Sequence, residues 1–198
     1  MTRSAEAKQN LRDICRVAAR VFYAKSYDGA SMSDIAQAVG LTKAGLYHHV
    51  RSKDRLLYEI QNYGMDILDE TVLAPIKDVS NPYEKLRRTI LGHIDLIVRA
   101  RDQEITVILH ENRSLSGPLR KKLNARKRRY IEYLIDLIRR VQEASGRPPQ
   151  MSPPLAAFAL LGMINWLYQW YKPEGAIKQE ELGQVYTDFF FRGLLGTG

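Results

Sequence analysis

The sequence predicts an all-α protein, with a three-helix head at the N-terminus, a larger helical bundle behind it, and about nine helices in all. Three observations carry this expectation. Apolar residues recur at steps of three and four along almost every segment, and almost none alternates as a strand does. Ser, Thr, Gly and Pro punctuate the chain where such stretches begin and end. The apolar share of 45%, with only 13 Gly and 8 Pro in 198 residues, excludes a disordered chain and is ample for a core.

The first helix is expected from about Lys8 to Lys25, with Leu11, Ile14, Ala18 and Phe22 on one stripe and a break at Gly29. Ser31 and Asp34 have capping-box spacing for a short second helix, which Gly40 ends as a C′ glycine. Thr42 caps a third helix carrying Leu46 and Tyr47. A long fourth starts at Ser52 and stops at Pro75, with Asp54 in its first turn as the helix dipole favours. Asn81-Pro82 opens the fifth, which presents Leu86, Ile90, His93, Ile94 and Ile97. A sixth covers about Glu104 to Arg113, and Ser116-Gly117-Pro118 opens a seventh with Leu123, Tyr130 and Leu134. After a Gly- and Pro-rich loop from Ser145 to Pro154, an eighth helix runs from Ser152-Pro153 to Pro173. The ninth has a broad apolar face that includes Val185, Phe189, Phe190 and Leu194. Two domains are expected, 1–52 and 53–198.

In the head, two short helices flank Gly40-Leu41-Thr42, the arrangement of a helix-turn-helix. Ile35, Ala36, Val39, Leu41 and Leu46 are apolar where crossed helices must pack. The second helix of the pair offers Thr42, Lys43, Ala44, Gly45, Tyr47, His48 and His49, which suit a major groove; small Ala44 and Gly45 let the backbone approach base edges. Charge points the same way. The net charge is +8, and residues 1–56 hold ten Lys or Arg against five Asp or Glu, as a polyanionic partner requires.

The run from Ala24 to Leu57 resembles the TetR/AcrR repressor signature. The resemblance rests on Ile35-Ala36, Val39-Gly40-Leu41-Thr42-Lys43, Leu46-Tyr47, Ser52-Lys53-Asp54 and Leu56-Leu57. Val50 stands where that family usually has phenylalanine and still supplies an apolar group. The resemblance implies an all-helical dimer that binds a palindromic operator in double-stranded DNA and carries a small-molecule pocket behind the head. It implies DNA contacts from Thr42, Lys43, Tyr47 and His48, with Ala44 and Gly45 at the groove. Tyr47, Lys53 and Ser33 would hold phosphate, and Lys43 is the candidate for guanine. The homodimer would form through the last two helices.

Behind the head, His93 sits on an apolar stripe, either as a hydrogen-bonded core histidine or as an effector contact. The eighth helix gathers Met163, Asn165, Trp166, Tyr168, Gln169 and Trp170, a mixture suited to core, to a subunit seam or to an amphipathic effector. Asn165 and Gln169 are four apart, on one face of a continuous helix. The block from Asn165 to Gly175 resembles regulators of lipid, fatty-acid or sterol catabolism in the same family, some of which respond to acyl-coenzyme A. Arg120, Lys121, Lys122, Arg126, Lys127, Arg128 and Arg129 on the seventh helix read as a solvated face or as partners for a phosphorylated head group.

Other classes fit less well. The chain has no nucleophile elbow, glycine-rich phosphate loop or paired acid–base constellation, so it is not expected to be an enzyme. A helical acyl-thioester enzyme and a nonspecific DNA-coating protein are the rival readings. His48 and His49 point about 100° apart on a helix, and neither a metal nor another cofactor is expected. The single Cys15 precludes an intrachain disulfide and fits a buried small hydrophobe in a reducing cytoplasm. No apolar core follows the first basic residue, and the longest apolar stretch, Leu155 to Trp170, is shorter than the roughly 20 residues of a membrane span. A cytoplasmic protein without a membrane partner is expected.

Overall fold

The computed structural model describes residues 3–99 and 115–196, with side chains from residue 10 onward. The sixth helix expected from the sequence, from about Glu104 to Arg113, lies outside the described residues. Every regular element among the described residues is helical. By packing they form two compact units, which part between Asp66 and Ile67 and again between Arg126 and Lys127.

The first unit contains α1 (Arg3–Gly29), α2 (Met32–Val39), α3 (Lys43–His49) and α4 (Lys53–Leu68) as far as Asp66. It also holds the start of α6 (Gly117–Ser145), as far as Arg126. Phe22, Ile35, Leu46, Leu56 and Leu57 are at most 1% exposed, and burying each such side chain favours folding by about 1.5–3 kcal/mol. Cys15 is buried among them. Helix α1 ends at Gly29, as expected, but it kinks before that at Ser26, whose φ of 59° and ψ of 166° are non-helical, and one further turn runs on to Gly29. The kink lets Tyr27 turn inward onto Phe22, with ring centroids 5.4 Å apart.

The second unit begins within α4. That helix does not run unbroken to Pro75. It gives way at Asp69–Leu73 to a π turn and at Ala74–Ile76 to a 3-10 turn containing the proline. Helix α5 (Pro82–Arg99) buries Leu86, Ile90, His93, Ile94 and Ile97 along one stripe, with Asn81 accepting from the Glu84 N–H at 3.1 Å as N-cap. The rest of α6 adds Leu134, Leu137 and Val141. The aromatic segment expected as one helix is two, α7 (Pro153–Asn165) and α8 (Leu167–Trp170), separated at Trp166. Asn165 and Gln169 therefore do not share the face of one continuous helix. Helix α9 (Gln179–Leu195) packs on α5 through Gly183, where a Cβ would lie 2.7 Å from Leu91 Cδ2.

Candidate functional site

The head is built by local hydrogen bonds that the sequence spells out. The Asp34 N–H donates to Ser31 Oγ at 3.1 Å while the Ser31 N–H donates to Asp34 Oδ2 at 2.8 Å, a complete capping box that starts α2. Gly40 ends α2 at φ 76°, and the Leu41 N–H reaches back to the Ala36 carbonyl at 2.9 Å in a Schellman closure. A side chain at Gly40 would be strained in that left-handed conformation. Thr42 then caps α3, its Oγ1 accepting from the Gly45 N–H at 3.0 Å. The turn between α2 and α3 is thereby fixed at both ends.

This turn leaves one row of side chains in solvent. Ser33, Thr42, Lys43, Ala44, Tyr47, His48 and His49 are exposed, and Gly45 is half-buried against its cap. Tyr47 is 41% exposed, which is large for a tyrosine beside fully buried Leu46. The Thr42 hydroxyl accepts from Gly45 and keeps its own proton to donate outward. Asp34 is the nearby negative group on α2, and Lys25 neutralises it at 2.7 Å. Hydrogen bonds from Lys25 and Ser31 hold that carboxyl well below the usual carboxylate range. Lys53, at the N-terminus of α4, lies over the Tyr27 ring at 4.4 Å and near the Asp28 carbonyl at 3.4 Å. Asp54 accepts the Tyr27 hydroxyl proton. The kinked end of α1 thus holds the start of α4, a role for Tyr27 that its place in the apolar pattern does not reveal.

In the second unit, His93 is buried and its Nδ1 lies 3.0 Å from the Tyr130 hydroxyl. Burial pulls the imidazole down to about 4 and pushes the Tyr130 phenol up. A neutral imidazole with Nδ1 accepting from Tyr130 leaves Nε2–H as its donor. Tyr133 stacks on Tyr130 at 6.4 Å between centroids. Lys127 lies one turn before Tyr130 and is half-buried, and burial pulls its ammonium down to about 8. The basic face of α6 is therefore not uniform. Arg120, Lys121, Lys122, Arg128 and Arg129 are exposed, while Arg126 and Lys127 are half-buried.

The remaining predicted effector residues are distributed differently. Met163, Asn165 and Tyr168 are half-buried, and the Asn165 side-chain oxygen is enclosed without a hydrogen-bond partner. Trp166 and Trp170 are 61% and 41% exposed, and Gln169 is exposed beside Tyr168, whose hydroxyl it meets. Leu155 and Phe158 on α7, and Val185 and Phe189 on α9, are each more than half exposed. Sequence periodicity placed Tyr130 on a helix but not beside His93, since that juxtaposition depends on how α5 and α6 pack.

Known proteins match both parts of the chain. Residues 14–60 match the family described as bacterial regulatory proteins of the tetR family, and residues 79–194 match the tetracyclin repressor-like C-terminal domain. The HTH-type transcriptional repressor KstR2 of Mycolicibacterium smegmatis is 24% identical over 92% of this chain and 89% of its own. The crystal structure of AibR in complex with isovaleryl coenzyme A and operator DNA is 38% identical. It superposes with a TM-score of 0.82, covering 96% of this chain and all of that one. The TetR family regulator PfmR from Thermus thermophilus is 35% identical, with a TM-score of 0.79 over 91% of this chain and 98% of PfmR.

Proposed function

Because this chain belongs to the TetR family of bacterial regulatory proteins, we propose that it is a repressor that leaves a palindromic operator when an acyl-coenzyme A thioester occupies its second unit. It is a ligand-responsive DNA-binding regulator rather than an enzyme, and it works in the cytoplasm, where its DNA lies. The observation that carries this reading is the α2–α3 turn, closed by its two caps and Gly40, which leaves Thr42, Lys43, Tyr47 and His48 facing outward. Residues 1–52 read the operator and the remainder serves ligand and dimer. Lys43 reads a guanine in the major groove with Ala44 and Gly45 allowing close approach, and Ser33, Tyr47 and Lys53 hold phosphate.

Two copies are needed to read a palindrome, and the exposed apolar residues support the surface they share. Leu155 and Phe158 on α7 and Trp166 at its end, with Val185 and Phe189 on α9, are too much apolar surface for a monomer to leave in water. In this reading Trp170 borders that seam. His93, Met163, Asn165, Tyr168 and Gln169 serve the effector, with Lys127 adding a cation suited to an anionic thioester. The relative bound to isovaleryl coenzyme A and operator DNA supports the choice of effector class.

The test is a titration of labelled DNA from the chain's own upstream region at one fixed salt concentration, with and without isovaleryl-coenzyme A. We expect operator binding about 10³-fold tighter than to unrelated DNA, weakened by the thioester. Binding without sequence preference would overturn the regulator reading. Specific binding indifferent to acyl-coenzyme A would overturn the effector.

A further inference from the structure

Two helices pass from the first unit into the second, α4 after Asp66 and α6 after Arg126. Those two residues are an ion pair. Arg126 Nη1 lies 2.6 Å from Asp66 Oδ1, with the side chains 18% and 27% exposed. The same nitrogen donates to the Asn62 carbonyl at 3.0 Å and to Asn62 Oδ1 at 2.8 Å. One guanidinium therefore grips a full turn of α4 at the points where both helices leave the head.

Resting on the regulator reading above, we infer that Arg126 is the positioning residue through which the state of the effector unit reaches the DNA-binding head. The same turn of α4 is also held by α1: Arg12 lies over the Tyr63 ring at 5.5 Å and Arg16 reaches the Tyr63 hydroxyl at 3.4 Å. A shift of α6 therefore pulls α4 through Asn62 and Asp66, and α4 carries α1 with it. Beyond the grip, α4 loses its regular ladder, turning π at Asp69–Leu73. π turns inside helices are uncommon and are adjustable segments. Rigid coupling on the head side of the grip and an adjustable turn on the effector side are what a transmitted shift requires.

The grip is not one more surface ion pair of α6. Arg139 also pairs on that helix, with Asp136 at 3.2 Å, but within one turn and with side chains about half exposed. Such a pair links α6 only to itself. R139Q is accordingly the control and R126Q the test, with D66N and R126K as milder variants should R126Q fold poorly.

Each full-length variant is titrated with labelled operator duplex, with and without saturating isovaleryl-coenzyme A. Amide hydrogen exchange across residues 127–145 is followed with and without saturating operator. In wild type and R139Q the thioester weakens operator binding by a factor typical of allosteric regulators, about 5–150-fold. Because coupling is reciprocal, operator changes exchange in residues 127–145. In R126Q the ratio falls to within about twofold of one and the exchange response vanishes, while each ligand still binds alone. R126K and D66N fall between. An R126Q protein with the wild-type ratio and exchange response would overturn the inference, and so would a wild type whose residues 127–145 ignore operator. If operator changes exchange in wild type but isovaleryl-coenzyme A does not release it, the effector assignment fails and the exchange comparison still decides the role of Arg126.

Discussion

The two units of this chain place their working residues in opposite ways. In the first, Thr42, Lys43 and Tyr47 stand in solvent, aimed by a capping box, a left-handed glycine and a threonine cap within fifteen residues of sequence. In the second, His93 and Tyr130 meet in the core across 37 residues, and the apolar seam depends on two helices that start 26 residues apart. A surface built by nearest-neighbour hydrogen bonds keeps its geometry whatever packs behind it. A core pair exists only when the whole bundle has closed.

The comparison is tested most severely at the seam, where function should fail without loss of the fold. Phe158 and Phe189 are 57% and 67% exposed, so the double variant F158E/F189E leaves each chain's own core intact. We expect a helical monomer by sedimentation and circular dichroism. Its operator binding should fall by about 10³-fold, toward the nonspecific level. A double variant that stays dimeric would place the interface elsewhere.

The core pair is tested next, by acid. The folded His93 value near 4 lies below the ordinary 6.5, so between these values the unfolded chain holds a proton that the folded chain excludes. Stability is therefore lost as pH falls from 6.5 to 4, by about 3 kcal/mol, and this contribution levels off below 4. Glu84, held down to about 2 by Arg87 and Arg88, loses its share at lower pH, mostly outside that window. Chemical denaturation between pH 7 and 4 should show the drop in wild type and a flatter profile in H93Q, which keeps an acceptor for Tyr130. Equal slopes in the two proteins would place the titrating group elsewhere.

The same contrast explains what could be read from the sequence. Ser31, Asp34, Gly40 and Thr42 act on residues within five positions of themselves, so spacing alone located the head, its turn and its exposed row. Val50, where its family usually has phenylalanine, is 2% exposed, as an apolar slot requires. Helical periodicity placed His93 in the core but could not name Tyr130, and it could not separate Arg126 and Lys127 from their solvated neighbours. It also carried one helix through Trp166 and another to Pro75, since apolar spacing persists where the backbone changes pitch. Nor could spacing reveal that Lys53, at the start of α4, lies over the Tyr27 ring.

A smaller effect separates exposed cations by position rather than number. Lys43→Ala should weaken operator binding by about 1–3 kcal/mol and relax preference at one base pair. Arg128→Ala, equally a loss of one exposed charge but on α6 in the second unit, should change affinity little. Competition titrations against singly substituted operators measure both. Equal losses from the two variants would mean that the head binds through net charge alone.

The smallest effect tests the one place where local rules in the head give way. Ser26 adopts φ 59° and ψ 166°, a region almost reserved for glycine, and it is the only non-glycine residue with positive φ among those described. Its Oγ recovers little, since it accepts from the Gly29 N–H at a long 3.4 Å. The strain costs about 1–3 kcal/mol, and a glycine there would relieve it against about 0.5–1 kcal/mol of extra chain entropy in the unfolded state. Ser26→Gly should therefore stabilise the protein by about 1 kcal/mol, raising Tm by about 2–4 °C. Ser26→Ala, which keeps the Cβ and loses the hydroxyl, should not. The kink is what turns Tyr27 toward Phe22, Lys53 and Asp54, so Ser26→Gly should leave operator affinity unchanged. A glycine variant that melts earlier than wild type would mean that the Ser26 hydroxyl, rather than the backbone it strains, sets the end of α1.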